Sequence, residues 1–118
     1  MAGFSYTIRV YSPDRSRAED LSLPVDSGSP FTWLHSSTLY NLGVNPERTA
    51  SLQAPDGTAV IRSLGEATIE IDGRRASNLV VFAEGADDAR IGRYTVDSLL
   101  LSVDVASKRL VPMIPTVA

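Results

Sequence analysis

Apolar and polar residues alternate through much of this chain with the two-residue period of strands that bury one face. In SYTIRVY, residues 5–11, Tyr6, Ile8 and Val10 fall on one side and Thr7, Arg9 and Tyr11 on the other. The polar connection SPDRSRAED leads to LSLPV, residues 21–25, where Pro24 cannot donate to a ladder and so marks an edge or irregular strand. That run stops at Asp26, Ser27, Gly28 and Ser29, and Phe31-Thr32-Trp33 resumes as a short strand. In SSTLYNLG the period changes. Ser36 or Ser37 is placed to cap a helix, Leu39 and Leu42 share one face, and Gly43 stops it.

Three hairpins follow. Between TASLQ and TAVIRS lie Pro55, Asp56 and Gly57, a turn in which proline fixes φ and glycine accepts positive φ. Asp72-Gly73 separates Ile69 and Ile71 from the run Leu79-Val80-Val81-Phe82, which reads as a strand buried on both faces. EGADDA is a loop, ARIGRYTVDSLL passes from a short strand through Gly92 into a helical turn, and LLLSVDVASKRLVPM forms a last hairpin with Ala106, Ser107 and Lys108 at its tip. No linker, repeat or low-complexity segment interrupts the pattern, so residues 1–118 are expected to form one β-rich domain with two short helices.

Composition narrows the chemistry more than the fold. The 118 residues are 43% hydrophobic with a formal net charge of −3, which leaves no electrostatic footprint for nucleic acid. The chain has no cysteine, so disulfides, thiolate metal sites and thiol nucleophiles are excluded. Its one histidine, His35, precludes a His-rich metal site and leaves little scope for Ser-His catalysis. MAGFSYTIRV lacks the basic start and apolar core of a signal peptide, and no apolar run approaches the ~18 residues of a membrane span, so a cytoplasmic, membrane-free protein is expected. Carboxylates remain as the reactive groups, and one of them, Asp26, ends an apolar strand. A carboxylate there is costly unless it is paired, hydrogen-bonded or put to use.

Alone, Asp26-Ser27-Gly28 is a turn-forming tripeptide. Its surroundings are more specific: an apolar strand, Asp-Ser-Gly-Ser, Phe-Thr-Trp, a short helix ending Leu42-Gly43, a Pro-Asp-Gly hairpin, LGEATIEIDGRRASNLVVFAE and finally ARIGRYTVDSLLLSVD. This order resembles the retropepsin-like (retroviral-type) aspartic proteases, particularly their small bacterial members. Those proteins share an apolar residue, Asp, Thr or Ser, Gly, then Ala or Ser, with a threonine shortly after. A flap hairpin and a late apolar-apolar-Gly element before a helix complete the pattern. Thr32 fits the later threonine and Ile91-Gly92-Arg93 the late element, and the likeness covers about residues 6–112.

The resemblance implies an all-β closed barrel, the half-domain of an acid protease, that becomes an enzyme as a C2 homodimer. Each subunit brings one Asp26 to the two-fold axis, where two adjacent carboxylates share a proton and activate a water against a peptide bond. On this likeness Ser27 hydrogen-bonds across the axis, Gly28 permits close backbone approach, and Ser29 completes the loop. A flap at about 50–63, tipped by Ala54, Pro55, Asp56, Gly57 and Thr58, closes over an extended polypeptide substrate, with Arg90 and Ile91 on the substrate pocket. Thr32, Gly92 and Arg93 support the site, and no cofactor or metal takes part.

Three departures from the viral members bear on this. Pro30 replaces an acidic residue that would accept from substrate backbone and from the late arginine, so Arg93 loses that partner. Arg90 replaces an apolar residue. Pointing inward, its guanidinium favours an ionised dyad and attracts acidic substrate side chains; pointing outward, it is a solvated strand residue. Pro112 and Pro115 interrupt the terminal ladder, so the last hairpin is an alternative dimer surface. A catalytically weak or inactive peptide-binding dimer is thus the alternative function, and an unrelated small β-barrel adaptor a more distant one. The remaining residues read as structural: His35 flanks the helix start, Trp33 is core or pocket wall, Asp87-Asp88 is a solvated loop, Asp104 ends a strand, and Asp56 and Asp72 are turn residues.

Overall fold

The computed structural model describes residues 3–54 and 56–115. Among them the chain forms β1 (Ser5–Tyr11), β2 (Ala18–Pro24), β3 (Thr32–His35), α1 (Ser36–Asn41), β4 (Arg48–Gln53), β5 (Ala59–Ile71), β6 (Arg74–Ala83), α2 (Arg93–Ser98), β7 (Leu101–Asp104) and β8 (Arg109–Pro112). The protein is mostly β with two short helices, as its alternation indicates. In β1 the period is plain, since Ile8 and Val10 are buried while Thr7 and Arg9 face solvent.

β2 pairs antiparallel with β1 and begins at Ala18, three residues before its apolar run. An edge strand with a solvated face tolerates polar residues, and here Arg9 closes on Asp20 across the pair at 2.7 Å. Pro24 lies on this edge, where its missing N–H costs no inner ladder bond. β5 is the spine of the sheet. Its first half pairs with β4, its second half pairs with β1, and β6 runs along its other edge. The hairpin between β5 and β6 turns at Asp72 (φ +51°) and Gly73 (φ +80°), the double left-handed geometry that suits right-twisted strands. β7 and β8 form a separate two-stranded ladder.

The closed barrel expected from the sequence is not formed. The ladder runs as an open path, β2-β1-β5-β6-β3, and its two ends are joined only by single bridges, Val25 to Ile91 and Trp33 to Arg90. Pro24 and the Asp26 loop end β2 before a continuous ladder can extend. α1 differs in a smaller way. Neither Ser36 nor Ser37 caps it; His35 holds the N-cap position without a side-chain bond. Gly43 ends it as expected, with φ +78° and the Val44 amide donating back to the Leu39 carbonyl.

β6 explains the two cores. Val80 and Phe82 point into the main core with Ile8, Leu34, Ile69 and Ile91, whereas Val81 and Ala83 join Trp33 and Leu64 in a second cluster that the β4–β5 hairpin covers with Leu52 and Val60. Alternation on a strand buried on both faces therefore supplies the domain with one core and the hairpin with another. Among the described residues no helix is long and apolar enough to cross a membrane. Phe82 is fully buried, so Phe82→Ala should cost about 3–5 kcal/mol, read as a lower urea midpoint; an unchanged midpoint would show that the main core does not rest on this ring.

Candidate active site

Asp26 is positioned by backbone pairing. The Ile91 amide donates to the Pro24 carbonyl and the Asp26 amide to the Ile91 carbonyl, both at 2.9 Å. On the other side, Arg90 and Trp33 exchange both backbone hydrogen bonds, also at 2.9 Å. Residues 90–91 are thus held between the strand that delivers Asp26 and the strand that follows its loop. Within the loop the Gly28 amide donates to Asp26 Oδ1 at 3.0 Å and the Ser29 amide to the Asp26 carbonyl at 3.1 Å. A side chain at Gly28 would start 3.3 Å from that same carboxylate oxygen, so glycine keeps the approach open. Ser29 is buried with its hydroxyl donating to the Phe31 carbonyl, while Ser27 is exposed beside the carboxylate.

Thr32 and Gly92 brace the loop from behind. The fully buried Thr32 hydroxyl accepts the Gly92 amide at 2.9 Å and lies 2.5 Å from the Thr95 hydroxyl. A Cβ on Gly92 would fall 2.2 Å from the Phe31 carbonyl oxygen, so no other residue fits. Arg93 and Tyr94 donate their amides to the Ser29 and Pro30 carbonyls, at 2.9 and 3.0 Å, tying the loop to the start of α2. Thr95 is a site residue that sequence reading missed. Its signal was a small hydroxyl on the helix face that also carries the buried Val96 and Leu99.

In front of Asp26 lies an open cleft of about 700 Å³, walled by Phe31, Trp33, Leu52, Ala54 and Gly57 as well as by Arg90 and Arg93. The β4–β5 hairpin forms its roof. At the tip, Gly57 takes φ +90°, and Thr58 donates its hydroxyl and amide to Asp56 Oδ1 at 2.7 and 3.0 Å, which hold the Asp56 carboxyl below the usual carboxylate range. Ala54 and Gly57 thus face the cleft, Asp56 and Thr58 stiffen the turn, and Pro55 lies outside the described residues.

The outward alternative for Arg90 is not realised. Its Nε stands 3.7 Å from Asp26 Oδ2, its guanidinium lies 4.5 Å over the Trp33 ring, and Nη1 donates to the Asp88 carbonyl at 2.9 Å. Its neighbour requires a correction. Ile91 was expected on the substrate pocket, but it is wholly buried in the main core. Successive residues of an extended segment point to opposite faces, so placing Arg90 in the cleft commits Ile91 to the interior. Arg93 lies over the Tyr94 ring at 5.3 Å and borders the cleft.

Asp87 is more than a solvated loop residue. Arg62 of β5 grips it with Nε at 2.6 Å and Nη2 at 3.0 Å, and it accepts the Glu84 amide at 2.9 Å. The guanidinium first, then the amide, hold its carboxyl below the usual range. This pair ties the roof hairpin to the loop that delivers Arg90. Among the described residues no group of three or more His, Asp or Glu side chains is placed to hold a metal ion.

Two measurements test this frame. Thr32→Val leaves the buried Gly92 amide without its acceptor and should cost about 1–3 kcal/mol of stability; a loss no larger than that of a surface threonine would remove Thr32 from the brace. For Arg62–Asp87 the sign follows from the lowered carboxyl: its contribution is complete above the unfolded aspartate value, about 3.9, and disappears as pH falls through the folded one. Arg62→Gln should therefore destabilise the fold at neutral pH, and the difference should shrink as pH falls through the folded Asp87 value; a gap that stays constant on acidification would show that the charge pair is inert.

No protein-family model matches the chain, and no curated protein matches its sequence.

Proposed function

We propose that the chain is a retropepsin-like aspartic endopeptidase that works as a homodimer. The observation that carries this reading is Asp26, set at the floor of a hairpin-roofed cleft by a loop in which every bracing contact comes from backbone or a buried hydroxyl. Among the described residues it is the only carboxylate lining that cleft. Acid–base hydrolysis through carboxylates needs two, and a two-fold axis beside the exposed Ser27 supplies the second from an identical loop.

The chemistry follows from their closeness. Two carboxylates in contact share one proton, so one is a base and the other an acid. The ionised member takes a proton from a bound water, whose oxygen attacks the scissile carbonyl. The protonated member hydrogen-bonds the carbonyl oxygen and supports the negative charge that develops there. As the tetrahedral intermediate collapses, the C=O re-forms, the C–N bond breaks and the proton taken from water passes to the leaving amine. The peptide lies extended beneath the β4–β5 hairpin, and the roof excludes bulk water from the reacting atoms.

A second reading, a dimeric peptide-binding module without hydrolysis, is favoured by one observation: the Arg90 guanidinium beside Asp26 competes for the carboxylate that must act as base. One experiment decides between them. The purified protein is incubated with a peptide library between about pH 4 and 7, the range over which a shared-proton dyad can operate, with Asp26→Asn alongside. Cleavage that the substitution lowers at least about 1,000-fold, with fold and dimer retained, is the expected result. Absence of cleavage by the unmodified protein transfers the reading to the binding module, and a strictly monomeric protein in sedimentation would exclude the dyad.

A further inference from the structure

The cleft carries an excess of positive charge close to its reactive carboxylate. Its charged walls are Asp26, Arg90 and Arg93, one acid against two guanidinium groups. On the adjoining loop, Asp87 is already engaged by Arg62.

Arg90 is held in a way that suits recognition. The Trp33 ring supports one face of its guanidinium, the Asp88 carbonyl takes one Nη1 hydrogen, and the side chain is only 12% exposed. Its Nε is buried and makes no hydrogen bond, because Asp26 Oδ2 at 3.7 Å is an ion-pair neighbour beyond hydrogen-bonding distance. A planar guanidinium fixed in advance matches a carboxylate in two places and loses little entropy on binding it. Beside it, Trp33, Phe31 and Leu52 offer apolar surface for a short hydrocarbon stem.

We infer that Arg90 is a specificity-determining residue that selects an acidic side chain, glutamate or aspartate, in the peptide position next to Asp26. The inference rests on the cleft being a peptide site, and it names the class of peptide.

Peptides identical except for Glu against Gln, or Asp against Asn, at the positions flanking the cleaved bond provide the test. The unmodified protein should cut the acidic member with kcat/KM at least about tenfold higher, the effect of one charge-assisted hydrogen bond. Arg90→Met should erase the preference, Arg90→Lys should keep part of it, and Arg90→Glu should turn it toward lysine. Equal rates for Glu and Gln peptides overturn the inference while leaving the endopeptidase intact, and this comparison needs no variant to fold. Should the unmodified protein cut nothing, the endopeptidase reading fails and calorimetric titration of the same peptides decides this one. Tighter binding of the acidic member by at least about tenfold, lost in Arg90→Met, supports it; equal affinities, or no binding by either, overturn it.

Discussion

The insertion of residues 90–91 between two strands that are adjacent in sequence is the constraint on which the site depends. Pro24 and Asp26 bond to Ile91 on one side, and Trp33 bonds to Arg90 on the other. Four backbone hydrogen bonds of one length leave the Asp26 loop little freedom to move independently of the late segment. They also set side-chain direction. Once Ile91 is committed to the core, the pleat turns Arg90 toward the carboxylate, and Gly92 arrives so close to the Phe31 carbonyl that no side chain fits. The position of Asp26, the presence of a cation beside it and the identity of Gly92 are therefore consequences of one pairing.

The Arg90–Asp26 pair orients the site more than it stabilises the fold. At a few ångströms, with the screening typical of a partly open cleft, the gross attraction between two such charges is on the order of 4 kcal/mol. Desolvation of both groups consumes much of this, since neither side chain is more than about a quarter exposed. A distance of 3.7 Å forgoes the hydrogen bond that would tip the balance. The cation–π contact with Trp33 and the bond to the Asp88 carbonyl fix the guanidinium where it stands. Arg62–Asp87 anchors the same loop from the roof, so the hairpin and the cation share a mechanical link.

Much of this was legible in the sequence because short-range physics wrote it there. Alternation in SYTIRVY, the Asp72-Gly73 turn and the Gly43 stop depend on neighbours within a few residues, and the structure has them where the pattern put them. What could not be read depends on distant partners. β2 gains Ala18, Glu19 and Asp20 because β1 lies beside it, and Arg9 answers Asp20 from there. Thr95 looks like an ordinary helical threonine until Thr32, 63 positions away, meets it. Arg90 was open between two faces because a single extended residue carries no period of its own. Ile91 was misassigned for the same reason. The pair could be resolved only by knowing which of the two enters the core, and that is set by Val25 and Trp33 together.

An acid protease built from one such chain has a consequence for charge. In the proposed homodimer, whatever surrounds Asp26 in one subunit is duplicated across the axis, so each guanidinium in the cleft becomes two. Such a dimer would hold two carboxylates sharing one proton among four arginine side chains, Arg90 and Arg93 from each subunit. Such self-repulsion is tolerable when solvent or a ligand supplies compensating anions. On that proposal an acidic peptide supplies the missing charge, so substrate binding and relief of repulsion become the same event. Neutral peptides leave the repulsion in place. On the proposed dimer, the duplication that would supply a second carboxylate also makes the cleft dependent on the charge of what it binds.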